Sequence, residues 1–198
     1  MSKLDRTFFE RETTTVAQEL LGKILVHELD GIRVSGRVVE TEAYTGWDDL
    51  ASHGRIRKTD RNLPMFGSAG LWYVYLTYGI HWMANIVSKP VDVDYPAAVL
   101  LRAVEPLDGL EMMAERRAGH KPRNWTNGPG KLTQAMGIDK SLNMCDMLTE
   151  DSLLYLEDAA PIPNNQVRTG PRIGINVSEP WQSIEWRYWI NDNSFVSK

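Results

Sequence analysis

From Leu71 to Ser88 the chain reads LWYVYLTYGIHWMANIVS. Tyr73, Tyr75 and Thr77 alternate there with Trp72, Val74, Leu76 and Tyr78, the period-two pattern and aromatic content of a strand. A second apolar run, Ile80 to Val87, follows at once, and Gly79 lies between them, where a reversing chain can use positive φ. The pattern predicts a β-hairpin with Tyr78 at its tip and Tyr75 and Asn85 lower on its arms. Aromatic residues in strands ordinarily serve as core, so packing is the default use for this segment. Tyr78 is the exception, because a tip gives it little to pack against.

The same reading carries through the rest of the chain. Thr13, Thr14 or Thr15 can cap a short helix through Val16, Leu20 and Leu21 that ends at Gly22. Lys23 to His27 and Arg33 to Thr41 read as strands joined by Leu29-Asp30-Gly31, whose Asp-Gly pair is a strong turn signal. The second of these strands leads into Glu40-Thr41-Glu42-Ala43-Tyr44. Trp47 to His53 is compatible with about two turns of helix, and GRIRKTDRNLP after it reads as an exposed basic loop. Ala97 to Val104 is an apolar strand with one charge, Arg102, which needs a partner; Glu105-Pro106 should break it. Leu107 to Arg117 reads as a helix with Leu107, Leu110 and Ala114 on one side. Asn127 to Leu132 opens another helix through Met136, with Pro129 in the first turn. Strand candidates at Arg172 to Val177 and Ile184 to Ile190 complete an α+β fold in one domain, residues 1–198.

Composition narrows the chemistry. Cys145 is the only cysteine, which rules out an internal disulfide and a thiolate metal cluster, and its helix-like surroundings read as buried packing. No apolar run reaches the length of a membrane span, and MSKLDRTFFERE lacks the order of a secretory signal, so a cytoplasmic protein is expected. The net charge of −4 argues against a generic nucleic-acid coat protein. Positive charge is nevertheless local, at Arg55, Arg57, Lys58 and Arg61, and again from Arg116 to Arg123. Gly130-Lys131 is not a phosphate loop, since Trp125 stands where a glycine is required and Leu132 follows the lysine. His53 with Asp48 and Asp49 is a poor metal set, because no second pair stands at ligand spacing.

Glu40 and Glu42 lie two residues apart in an extended segment and project from one face. Like charges so placed repel, so one should enter a special environment while the other is solvated or paired, the arrangement that separates carboxylate roles in hydrolytic sites. An edge strand protected by charge explains the pair about equally well.

VVETEAYTG, Ala51-Ser52-His53, the LWYVYLTYGIHWMANIVS hairpin, VLLRAVEPLDGLEMM, NGPGKLTQAMGI and GPRIGI, taken together and in this order, resemble the alkyladenine DNA glycosylases over nearly the whole chain. The resemblance implies a curved, mostly antiparallel sheet with a protruding hairpin and peripheral helices. It implies a monomer that needs neither cofactor nor metal, acts on duplex DNA containing damaged purines, here in the bacterial nucleoid, and has no membrane partner. Such an enzyme flips an alkylated or deaminated purine out of the duplex and cleaves its N-glycosidic bond with water. Glu42 would be the general base, with Arg102 and the main-chain carbonyl of Ile173 positioning the water. Tyr44, His53 and Tyr75 would line the base pocket, and Asn85 would obstruct guanine's exocyclic amine. Tyr78 would fill the gap in the duplex, flanked by Ile80 and His81, while Arg55, Arg57, Arg61 and Lys131 would meet phosphates. No lysine is placed as an amine nucleophile, so an abasic site should be left without strand cleavage.

Two other classes compete. A non-catalytic nucleic-acid-binding module would keep the aromatics and basic islands but would not need Glu42 and Arg102 together. A hydrolase of free nucleosides could use the Glu40/Glu42 pair but has no use for an exposed Tyr78.

Overall fold

A computed structural model describes residues 2–29 and 31–197. Its organising pair is β2 (Ile32–Thr45) and β5 (Ala97–Asp108), antiparallel along almost their full length at the centre of an eight-stranded sheet. On the other edge of β2, β1 (Ile24–Leu29) covers the first half and β8 (Arg187–Ile190) the second. The central hairpin, β3 (Trp72–Thr77) and β4 (His81–Ile86), joins the sheet through β5. β6 (Leu154–Glu157) pairs with β1, and β7 (Val167–Gly170) with β8. The curled antiparallel α+β architecture agrees with the sequence reading.

Because β2 and β5 are covered on both faces, Val38, Val39, Ala43, Val99, Leu101 and Val104 are all fully buried. A strand covered twice reads as a continuous apolar run, which is why Ala97–Val104 shows so little alternation. Two short helices pack on the sheet, α2 (Thr13–Glu19) through Val16 and Ala17, and α4 (Pro129–Met136) through Leu132, Ala135 and Met136. Each large apolar side chain buried this way contributes about 1.5–3 kcal/mol.

Three register shifts interrupt the β2–β5 ladder, and two of them are bulges beside the glutamates. Val38 pairs with Val104 and Glu40 with Ala103, which leaves Val39 as the extra residue of β2; Thr41 then pairs with Leu101, which leaves Arg102 as the extra residue of β5. Bulges re-aim side chains next to functional sites. Here one of them falls at Arg102, the one charge in the apolar Ala97–Val104 run of β5.

The hairpin has the expected tip. Tyr78 (φ 50°) and Gly79 (φ 72°) are both left-handed, and the Ile80 N–H closes the turn on the Thr77 carbonyl at 3.1 Å. Leu76, expected in the core with Trp72 and Val74, is instead partly exposed. The β1–β2 hairpin forms as expected, although Asp30 of its turn lies outside the described residues.

Several expectations need correction. α2 is preceded by Glu12 and none of its threonines caps it; Thr13 instead gives its hydroxyl to the Ser88 carbonyl at 2.7 Å. Trp47 to His53 forms turns, not helix, because the Asp49 side chain accepts from the Ala51 and Thr45 N–H groups and so competes with helical bonding. β5 passes through Glu105-Pro106 because Pro106 falls at a register shift opposite Gly36, where a missing donor is tolerated. The helix after it, α3 (Leu110–Arg116), therefore starts late and buries Met113 rather than Leu107 and Leu110. Arg172 to Val177 is irregular rather than a strand, and Cys145 is exposed in a loop. Among the described residues, no helix is long and apolar enough to cross a membrane.

Candidate active site

A cavity of about 310 Å³ opens between the β3–β4 hairpin, the end of β2 and the irregular segment at Ile173. Tyr44, His53, Tyr75, Asn85, Arg102 and Ile173 all line it, and so does Tyr78 at its rim. These residues come from five separate stretches of sequence. The sheet brings them together because Glu42 on β2, Leu100 on β5 and Asn85 on β4 are successive neighbours across the ladder, with Tyr44 two residues beyond Glu42.

One wall is aromatic. The Tyr75 ring lies 5.0 Å from Tyr73 at 30°, and His53 stands edge-on to Tyr75 at 4.6 Å. His53 Nδ1 is 2.9 Å from the Tyr73 hydroxyl. Tyr73 is therefore a member of the site that sequence reasoning left in the strand pattern, although its i, i+2 spacing from Tyr75 puts both rings on one face of the strand. Burial pushes the Tyr75 hydroxyl up to about 12 and that of Tyr73 further. Burial, helped by the nearby Arg61 guanidinium, holds His53 below its ordinary value, so the imidazole is neutral at neutral pH. Asn85 is fixed by donation from its amide to the Tyr73 carbonyl at 3.0 Å.

Behind the opposite wall lies Glu42, fully buried. Its Oε1 accepts from the Ile173 N–H at 2.7 Å and lies 3.1 Å from Arg102 Nη1; its Oε2 accepts from the Tyr44 hydroxyl at 2.7 Å. A carboxylate offers about four lone-pair sites. Three are used here, and the one left is on Oε2, beside a residue that lines the cavity. Tyr44 keeps its proton, because burial and then the adjacent Glu42 charge raise its pKa well above the ordinary value. For Arg102, burial opposes the charge, yet Glu42 and Glu40 together raise its pKa above the ordinary value. β2 is a central strand, so edge protection does not account for the two glutamates.

The backbone that carries Ile173 is anchored by a residue that the sequence reading had placed in a strand. Arg172 is buried and donates to both oxygens of Asp49, at 2.7 and 2.8 Å, and to the Ala43 carbonyl. Its guanidinium also lies over the Tyr44 ring, 4.7 Å from the centroid. Asp49 thus serves this ion pair. Nothing in the alternation of Arg172 to Val177 could have shown that its first residue faces inward to a carboxylate 123 positions away.

The rim is basic and apolar. Tyr78 is 92% and Ile80 71% exposed at the hairpin tip, and His81, Arg55, Arg57, Arg61 and Lys131 are exposed as well. Among the described residues, none of Arg55, Arg57, Arg61 and Lys131 pairs with a carboxylate. Arg61 does have internal partners, the Leu76 carbonyl at 3.1 Å and the Tyr75 ring at 5.2 Å. A side chain at Gly130 would come within 2.9 Å of His81, so glycine there lets the start of α4, with Lys131, sit against the hairpin.

Residues 7–194 match the family model described as methylpurine-DNA glycosylase. The chain is 47% identical over 199 residues to a protein of Chlorobium phaeobacteroides, covering 100% of this chain and 98% of the relative. It is 45% identical to one of Prosthecochloris aestuarii, covering 100% and 92%, and 42% identical to one of Natranaerobius thermophilus, covering 98% of each. All three relatives carry the name "Putative 3-methyladenine DNA glycosylase".

Proposed function

This chain belongs to the methylpurine-DNA glycosylase family and is a DNA-3-methyladenine glycosylase, and from that premise we propose that it flips a damaged purine out of duplex DNA and hydrolyses the glycosidic bond with water activated by Glu42. The observation that carries the proposal is the setting of Glu42. Its carboxylate is closed off from bulk solvent, is held by Ile173, Arg102 and Tyr44, all three of which line the cavity, and keeps one lone pair of Oε2 unused.

Extruding a base costs a few kcal/mol, and an aromatic placed in the vacated space offsets part of it. Tyr78 at the hairpin tip supplies that ring. The extruded purine enters between Tyr44 and the Tyr75–His53 wall, where stacking contributes roughly 1–3 kcal/mol. Asn85 stands at the floor and rejects guanine's exocyclic amine. A water on Oε2 of Glu42 attacks the anomeric carbon while its proton passes to the carboxylate. The carbon–nitrogen bond breaks, and its electron pair leaves with the purine. Arg102, with the Ile173 carbonyl, steadies the water and the neighbouring phosphate.

Bases that are already cationic, such as 3-methyladenine and 7-methylguanine, leave as neutral molecules and need no acid. Hypoxanthine and ethenoadenine also need a proton on the leaving base. No lysine amine enters the cavity lining, so the reaction ends at an abasic site, with the enzyme acting as a monomer and the strand intact. Release of free base from duplexes containing hypoxanthine, ethenoadenine, 3-methyladenine or 7-methylguanine tests the reading. Free base with an uncut strand is expected; a borohydride-trapped enzyme–DNA adduct would overturn the water mechanism.

A further inference from the structure

Glu40 is fully buried two residues before Glu42, and it accepts four hydrogen bonds. Arg102 Nε (2.9 Å), Arg187 Nε (2.7 Å) and the Ser197 hydroxyl (2.8 Å) donate to Oε1, and the Ser197 N–H (2.6 Å) donates to Oε2. Glu42 is bonded to three residues that line the cavity, Tyr44, Arg102 and Ile173, whereas of the partners of Glu40 only Arg102 does; Arg187 and Ser197 do not. A second carboxylate so close to the first is therefore directed away from the substrate.

Arg102 is the link between them. As the bulged residue of β5 it has no partner on β2, so ladder pairing alone does not fix where its side chain points. Its Nε goes to Glu40, its Nη2 to the Ser197 hydroxyl at 3.2 Å, and only Nη1 is left for Glu42, at 3.1 Å. The guanidinium is a rigid plane, and fixing two of its nitrogens fixes the third. Released from that grip, an arginine facing a carboxylate takes both oxygens in a bidentate fork. Such a fork would occupy the free lone pair on Oε2 of Glu42, the oxygen that otherwise accepts only from the Tyr44 hydroxyl. Ser197 is itself held from the other side, because Arg187 Nη2 donates to its carbonyl at 3.2 Å.

We propose that Glu40 and Ser197 are positioning residues that hold Arg102 side-on, so that it steadies Glu42 through one oxygen and leaves the other open to water. The inference rests on the reading of Glu42 as the base. It extends the reaction centre to Ser197, 95 residues along the chain from Arg102.

The test is single-turnover excision from a hypoxanthine-containing duplex at saturating enzyme, with the half-saturating enzyme concentration measured alongside. Ser197→Ala removes the hydroxyl but keeps the backbone bond to Glu40. Its rate should fall roughly 5- to 10-fold at unchanged half-saturation, and Ser197→Thr should restore it to within about twofold. Glu40→Gln should fall further, roughly 100-fold. If that variant does not fold, the Ser197 pair decides alone. A wild-type rate in Ser197→Ala, a loss that threonine does not restore, or a loss confined to half-saturation overturns the proposal. Glu42→Gln measured in parallel separates the two readings. If it stays active, the base assignment fails; if it is inactive while Ser197→Ala is unaltered, only the positioning role fails.

Discussion

The Ile173 N–H donates to Glu42 Oε1 at 2.7 Å across 131 residues of sequence, and the bond depends on the side chain next door. Arg172, buried between Asp49 and the Tyr44 ring, pins that irregular stretch against the end of β2. The resemblance implied a role for the carbonyl of Ile173; its amide already has a partner in the carboxylate itself.

Removing the charge of Asp49 leaves the Arg172 guanidinium buried without a counter-ion. Breaking a buried pair from one side costs about 3–5 kcal/mol. Asp49→Asn is therefore expected to lower the unfolding free energy by that amount, read as a lower denaturant midpoint at an unchanged m value. Folded enzyme at permissive temperature should also excise more slowly, because Ile173 is no longer held. A shift under about 1 kcal/mol would mean that the pair is not what anchors the segment.

Tyr78 separates stability from activity. A non-glycine residue at positive φ costs roughly 1–2 kcal/mol, and at 92% exposure its ring gains almost no burial to offset that. Tyr78→Gly relieves the strain but loosens the unfolded chain by about 0.5–1 kcal/mol, so thermal stability should be unchanged or slightly raised. Excision should still fall, and fall more on a fully paired duplex than on a single strand, where no gap needs filling. An equal loss on both substrates would remove the wedge role.

Acid should weaken the fold through two histidines. Burial lowers His27, whose Nδ1 is 2.9 Å from the Met136 carbonyl, and burial lowers His53, both from an ordinary 6.5. Below that value the unfolded chain binds protons that the folded chain does not, so unfolding stability rises with pH across the window from the depressed folded values up to 6.5. Melting temperature should therefore drop as pH falls from about 7 into that window. His27→Gln should flatten the dependence, and an unaltered slope would contradict the assignment for His27.

Local patterns were legible wherever the neighbours in sequence are also the neighbours in space. The Tyr78–Gly79 reversal, the β1–β2 hairpin and the α4 start at Pro129 are of that kind. So was the need of Arg102 for a partner, since a lone charge in an apolar strand announces itself. What could not be read depends on contacts between distant segments. Asp49 forgoes a helix because it answers Arg172, Pro106 stays in a strand because a register shift falls opposite it, and Ser197 joins Glu40 and Glu42 as a third partner of Arg102. Glu40 and Glu42 share a face by simple parity. Their division into one carboxylate turned inward and one at the cavity depends on two bulges that no alternation pattern encodes.

The central claim is most directly tested by Glu42→Gln in single turnover on a duplex containing hypoxanthine or 3-methyladenine, with binding to the same duplex measured beside it. Glutamine keeps the shape and can accept from the Ile173 N–H through its oxygen while its amide nitrogen donates to the Tyr44 hydroxyl oxygen, but it cannot take a proton from water. Excision is expected to fall by about 10²–10⁴-fold with duplex binding retained. Retained excision with retained binding would contradict the account, because the water would then be activated by some other group.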